Sequence, residues 1–483
     1  MCLKQLRVLA CAGLLTLLAG DTAVTQLPLG LRQGALTGGV ASRSYPSQRY
    51  AVYLPPQFNP RVPTPVLFVL DYRGRARVAA EVFQPAAARF GWVVMSSNNS
   101  ASDEAARTTV AALQAMWTDA HDFFTVDERR RYIAGLSGTA RTATWAATNA
   151  PGTVAGVIGA AAGFSPLSAP SPATDFLYFG TVGDADYNYW EMRALDRRLD
   201  ELDRPHRIEQ FTGGHGWMPR PLAMNAIEWM ELRAMQSGRR ARDEDLVRAL
   251  WMRDLHDVDT LEEAGRPLAA WRRLRAIERD YHGLRPEADL ARIGTRSDRL
   301  SRLPSLLPDA DREARALEAH DARIAAALRV VGLAFPPGAP APVHPLDRTL
   351  AEVGVPALLA AAASPHRDTA LDARRLLAEL EVRTGFYLPV EAMQAGDDAR
   401  AAFLLDVAKA INPNDSYAWF LRGKIFARAT RTIEAMDALR RAVRHGFRTL
   451  DALEHDPAFD PLRGRPDFTR LVDQVRALWD YDR

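Results

Sequence analysis

Residues 131–141 read RYIAGLSGTAR, and this short stretch decides the fold. An apolar run ends at Gly135-Leu136-Ser137-Gly138-Thr139, and a helix-forming segment begins at once. A serine on so sharp a strand-to-helix turn must take a strained backbone, which small flanking residues permit. The turn also aims the N–H of Gly138 at the place where an oxyanion would form. G-x-S-x-G is a weak pattern alone, and its last position here is Thr139. Its weight comes from what surrounds it.

Upstream, residues 50–54 (YAVYL) predict a strand that ends at two prolines. Residues 65–70 (PVLFVL) are a near-continuous apolar run, as expected of a strand buried on both faces. A helix over about 78–90, a strand at 92–96 and a long helix over about 103–124 lead to the strand at 131–136. Downstream come a helix at 138–148, strands at 157–162 and 176–182, and a helix at 189–202. A short strand at 207–211 and a helix from about 221 complete the series. Such alternation predicts an α/β fold: a mostly parallel sheet with helices on both faces.

With a serine on this kind of turn, an acid is expected after a later strand and a histidine after the last one. The strand at 176–182 is followed by Gly183-Asp184-Ala185-Asp186. The strand at 207–211 is followed by Gly213-Gly214-His215-Gly216-Trp217. A histidine in a glycine-rich loop has no packing role, whereas a general base needs that exposure. Of the two carboxylates, Asp186 has the usual reach back to the histidine and is favoured over Asp184. A second oxyanion donor is expected from the loop Asp71-Tyr72-Arg73-Gly74-Arg75, as the backbone N–H of Tyr72 or Arg73. Tyr187, Trp190 and Trp217 suggest an aromatic rim for substrate, although aromatics near strand ends more often pack. Acyl transfer through Ser137, His215 and Asp186 requires no metal and no organic cofactor.

Five motifs carry a family resemblance: LDYRGRA at 70–76, SSNNS at 96–100, GLSGTAR at 135–141, DYNYWEM at 186–192 and GGHGW at 213–217. Together they resemble bacterial α/β-hydrolases related to poly(3-hydroxybutyrate) depolymerases and feruloyl esterases, over about residues 45–235. The resemblance implies an α/β-hydrolase sheet, and it implies Asp186 as the acid, since the D-[FY]-N-Y run of that pattern falls there. It also implies a tetratricopeptide-like tail, which some members carry. Two departures stand out. Thr139 replaces a frequent Gly and would crowd the elbow helix; Tyr72 replaces a frequent Pro and would narrow the acyl pocket.

From about Ser237 the strand signal disappears. Residues 246–257 and 267–281 predict a helix pair, with Ala270, Leu274 and Ile277 on one face. The stretch 335–345 (FPPGAPAPVHP) reads as an extended linker, and helical pattern resumes beyond it. Trp419, Gly423, Phe426, Ala435, Leu439 and Ala442 fall at tetratricopeptide offsets, after Pro413, with Arg422 in place of the expected Leu. The expected organisation is a catalytic domain at 24–236, a helical region at 237–334, the linker, and an all-helical TPR-like domain at 346–483. On that reading the final portion is self-sufficient, and removing it leaves activity on small esters within about tenfold.

Composition narrows the partners. Of 483 residues 47% are apolar and 25% charged, with a net charge of +2, so no basic face for nucleic acid is present. Lys4 and Arg7 precede an apolar run at 8–20, which predicts a signal peptide ending near residue 23. The expected location is therefore secreted or periplasmic, in a bacterium, without stable membrane insertion. Both cysteines, Cys2 and Cys11, lie in that segment, so disulfides and cysteine nucleophiles are excluded from the mature chain. The expected function is a secreted serine hydrolase acting on small or polymeric carboxylic esters. A peptidase or amidase of the same fold is the runner-up. An inactive hydrolase domain whose helical tail binds a protein partner is the reading from another class.

Overall fold

The computed structural model describes residues 30–102 and 107–482, so the expected signal segment lies outside them. The first half runs β1 (Leu36–Ala41), β2 (Arg49–Tyr53), β3 (Thr64–Leu70), α1 (Ala76–Phe90), β4 (Val93–Ser97) and α2 (Arg107–Phe123). It continues with β5 (Val126–Leu136), α3 (Gly138–Asn149), β6 (Gly156–Ala160), β7 (Leu177–Gly183), α4 (Tyr189–Glu201), β8 (His206–Phe211) and α5 (Arg220–Gln236). The eight strands form one sheet in the order β1-β2-β4-β3-β5-β6-β7-β8. β2 is antiparallel to both of its neighbours, and every pairing from β4 through β8 is parallel.

The apolar runs read as they do because both faces of the sheet are covered. β3 is buried at every position, with Leu67 and Val69 turned to one side and Val66, Phe68 and Leu70 to the other. The first side packs on α1 and α5 through Phe83, Trp229 and Met230. The second packs on α2, α3 and α4 through Met116, Ala143 and Met192. Each large side chain so buried contributes about 1.5–3 kcal/mol. β1 gave no sequence signal: LTGGVA holds two glycines and lies half-buried at the sheet edge. β5 begins five residues earlier than its apolar run, because residues 127–130 (DERR) are charged yet extended.

Register positions the site. Leu70 pairs with Gly135, so the loop after β3 lies level with the turn after β5. Gly183 pairs with Phe211, so the loops after β7 and β8 lie side by side.

The second half is helical. α6 (Glu244–Glu263), α7 (Pro267–Tyr281), α8 (Glu287–Ser301) and α9 (Leu306–Ala334) come first. Ala270, Leu274 and Ile277 of α7 are buried together with Leu246, Leu250 and the end of α5. A buried ionic cluster ties these helices to the sheet. Arg207 of β8 donates to Asp254 of α6 at 2.7 Å and to Asp280 of α7 at 2.8 Å. Burial alone would raise both carboxyls, but Arg207 and its neighbouring arginines outweigh it and hold them below the usual range.

Then follow α10 (Leu346–Val353), α11 (Val355–Ala362), α12 (Arg367–Val382), α13 (Leu388–Gln394), α14 (Asp398–Ile411), α15 (Ser416–Arg428) and α16 (Thr432–Arg444). α17 (Leu450–His455) and α18 (Pro466–Asp482) close the chain. α15 and α16 form a close hairpin: a Cβ on Gly423 would lie 2.9 Å from Leu439, so glycine is required there. The stretch 335–345 is a packed turn rather than an extended linker. Phe335 is buried edge-on against Phe403 of α14, and Val343 N–H donates back to the Ala334 carbonyl at 2.7 Å. One apolar core runs from Ile324 of α9 to Val475 of α18, straight across that turn.

Candidate active site

Ser137 closes β5 with φ 59° and ψ −128°, a left-handed conformation that costs a non-glycine residue of order 1–3 kcal/mol. Small neighbours make the turn possible. A Cβ on Gly135 would sit 2.5 Å from the Ala140 nitrogen, and one on Gly138 2.7 Å from Ser102 Oγ. Thr139 does not crowd the elbow. It is fully buried, its Oγ1 accepts from the Leu136 N–H at 3.0 Å, and it lies 2.5 Å from the Leu70 carbonyl. The hydroxyl thus ties the turn to the end of β3.

His215 follows β8, and its Nδ1 lies 3.0 and 3.2 Å from the two carboxylate oxygens of Asp186. Asp186 is fully buried. Asp184, the other candidate, faces elsewhere: Oδ1 accepts from the Gly213 N–H at 3.1 Å and Oδ2 from Arg367 at 3.0 Å. It joins the loop after β7 to the histidine loop without touching the imidazole. A strained serine after β5, an acid after β7 and a histidine after β8 now stand on an eight-stranded, helix-covered sheet. The fold is that of an α/β-hydrolase.

The Gly138 amide is the first of α3, where the helix itself supplies no acceptor, and it remains available to an oxyanion. In the loop after β3, Gly74 takes φ 65° with its Cα against the Asn98 carbonyl, where a Cβ would come within 2.3 Å. Of the two expected donors there, Arg73 is committed, because its N–H donates to Asp71 Oδ1 at 2.9 Å. The Tyr72 N–H remains as the candidate second donor, with Arg73 and Arg75 stacked on the Tyr72 ring at 4.9 and 5.2 Å.

Asp71 is a residue that sequence reasoning missed. Its buried carboxylate also accepts from the N–H and side chain of Arg75 and, at 2.8 Å, from the Trp217 indole. It therefore fastens the oxyanion loop to the histidine loop. An acidic residue one step before Tyr72 was the available signal. Trp217 also packs edge-on against Phe83, 5.6 Å between centroids, and so braces the histidine loop.

Tyr187 and Trp190 are likewise engaged. The Tyr187 hydroxyl lies 3.0 Å from His215 Nε2, its ring stacked on the imidazole. Trp190 and Tyr189 lie under Arg375 of α12, whose guanidinium carbon is 5.3 and 3.6 Å from their centroids. Arg375 Nε also donates to the Asp184 carbonyl at 2.8 Å. Tyr387, at the end of the π-helical turn Arg383–Tyr387, lies close enough to act electrostatically on Tyr187 and Arg141. Asp415, capping α15, is within the field of Arg73. The final helices are thus part of the site's surroundings, contrary to the independence expected of them.

No protein-family model matches the chain, nor does any curated protein. Solved structures similar to part of it include a thermostable esterase, 20% identical with a TM-score of 0.31, over 38% of this chain and 58% of that one. A ferulic acid esterase is 16% identical with a TM-score of 0.34, over 41% and 96%. An S-formylglutathione hydrolase from Staphylococcus aureus is 14% identical with a TM-score of 0.33, over 41% and 98%. The fold assignment rests on the sheet order and the elbow.

Proposed function

We propose that the chain is an exported serine hydrolase that cleaves carboxylic esters through an acyl-enzyme. The observation that carries this reading is the strained elbow at Ser137 together with an imidazole after the last strand whose Nδ1 is held by a buried carboxylate. Ser137 Oγ attacks the ester carbonyl, and its proton passes to His215. Asp186 keeps the Nδ1–H tautomer and stabilises the imidazolium as it forms. The amides of Gly138 and Tyr72 receive the developing oxyanion. The imidazolium then protonates the leaving alkoxide, and water releases the acyl group by the same steps in reverse.

The test is turnover of p-nitrophenyl acetate and butyrate, with covalent labelling by a fluorophosphonate. Ser137→Ala should abolish labelling and lower hydrolysis by roughly 10⁴-fold or more, with the thermal melt unchanged. Labelling that survives in the variant would move the nucleophile elsewhere.

A further inference from the structure

The loop after β3 is held from behind by the residues that follow β4. Asn98 Nδ2 donates to the Gly74 carbonyl at 3.3 Å, Ser100 Oγ to the Asp71 carbonyl at 2.8 Å, and Ser102 N–H to the Tyr72 carbonyl at 3.0 Å. Ser102 thus hangs from the residue whose own amide is the candidate second donor. On its other side it meets the elbow. A Cβ on Gly138 would lie 2.7 Å from Ser102 Oγ and 3.0 Å from Ser102 Cβ, so Ser102 fills the space that a side chain at 138 would take. One residue therefore touches both sides of the oxyanion site.

The Ser102 hydroxyl is shut off from solvent and has no hydrogen-bond partner among the described residues. An unpaired buried hydroxyl is a cost to the folded state, so its position calls for an explanation. Ser100, two residues earlier, spends its hydroxyl on the Asp71 carbonyl. A serine hydroxyl turns about its C–O bond and donates one proton wherever an acceptor comes within reach. Beside the Gly138 amide, the acceptor that arises during the reaction is the ester carbonyl oxygen as it gains charge.

We propose that Ser102 is a catalytic residue, a third oxyanion donor whose hydroxyl finds its acceptor only in the transition state. As the Ser137 Oγ–carbon bond forms, the carbonyl π pair moves onto oxygen. That oxygen accepts from the Gly138 amide, the Tyr72 amide and the Ser102 hydroxyl. The Ser102 proton stays on Ser102, and the Ser137 proton passes directly to His215. A donor unpaired in the ground state and paired in the transition state stabilises only the latter. It raises kcat without tightening substrate binding. Attack by water on the acyl-enzyme makes an oxyanion at the same place, so deacylation draws on the same hydroxyl.

This inference rests on the serine hydrolase reading, and the experiment keeps the two apart. Wild type and Ser102→Ala are compared for turnover of p-nitrophenyl acetate, for fluorophosphonate labelling and for inhibition by a trifluoromethyl ketone, which forms a tetrahedral oxyanion on the nucleophile. The variant should lose about 10²-fold in kcat, the lower end for a lost oxyanion donor, with KM unchanged. The ketone should bind more weakly by the same factor. The melting temperature should hold or rise, because an unpaired hydroxyl has been removed. An active wild type whose kcat and ketone affinity survive in Ser102→Ala would overturn the donor role alone. So would a loss of activity that comes with a raised KM and a lowered melting temperature, which would make Ser102 a strut of the loop. A wild type that neither turns over ester nor takes the label would overturn both the donor and the reading beneath it.

Discussion

The two halves of the molecule are held together by different physics. The sheet half is organised by strands buried on both faces, where Leu67 and Val69 meet α1 and α5 while Phe68 meets α2 and α3. The helical half packs layer on layer, with small residues such as Gly423 and Ala435 letting helices approach. Where the halves meet, an apolar contact between α5 and α7 is joined by single charged side chains: Arg207 into Asp254 and Asp280, and Arg375 and Arg367 onto Asp184. Apolar cores repeat along the sequence and announce themselves. An arginine reaching across to a carbonyl has no period.

The comparison can be sharpened first inside the sheet half. Asp186→Asn should lower kcat by roughly 10⁴-fold, because the amide no longer fixes the histidine tautomer. Asp184→Asn should cost about tenfold, through a loosened loop, since the Gly213 contact survives. Equal losses in steady-state assays would show that the two carboxylates share one role.

Removing residues 346–483 is the largest challenge to the helical half. The cut divides the core between Ile324 and Val475 and deletes Arg367 and Arg375. The shortened protein should be less stable and at least about 10²-fold slower on p-nitrophenyl acetate, about 2.7 kcal/mol of transition-state stabilisation. A folded product within tenfold of full length would show that the halves work independently.

Arg375→Met asks for the contribution of one side chain. The methionine keeps part of the stem over Tyr189 and loses the donor to the Asp184 carbonyl. A fall in kcat of about tenfold is expected, without global unfolding in circular dichroism. An unchanged kcat would make the arginine a fastening of the tail only.

The last effect is on stability and belongs to the tail alone. Burial raises the Glu381 carboxyl to about 7, against the Asn412 hydrogen bond that favours its charge. Its folded value lies above its unfolded one, so the stability it contributes is present at low pH and is lost as pH rises through about 7. Glu381→Gln should therefore stabilise the protein by about 2 kcal/mol at pH 8 and by almost nothing at pH 4. Equal chemical denaturation curves for the two proteins at pH 8 would contradict that assignment.

Much of the site was legible because the chemistry dictates local residue types. A nucleophile on a left-handed turn needs glycines at 135 and 138, and a mobile general base needs the open glycine loop around His215. Spacing after the strand favoured Asp186 over Asp184, the motif resemblance agreed, and the fold brings Asp186 to the imidazole. What escaped was which neighbours were already engaged. Arg73 N–H faces Asp71, Trp217 faces Asp71 as well, and Trp190 lies beneath Arg375.

The sequence by itself determined the succession of strands and helices from β2 to α5, the elbow at Ser137 and the placement of Asp186 and His215 after later strands. Those follow from local backbone demands and from periodic apolar burial, both written within a few residues. Only the tertiary structure decided that residues 335–345 fold back into a core, that α12 grips the acid loop, and that Tyr187 reaches His215. Each depends on one side chain meeting a partner distant in sequence or across a loop, and spacing along a chain does not encode such a distance in space.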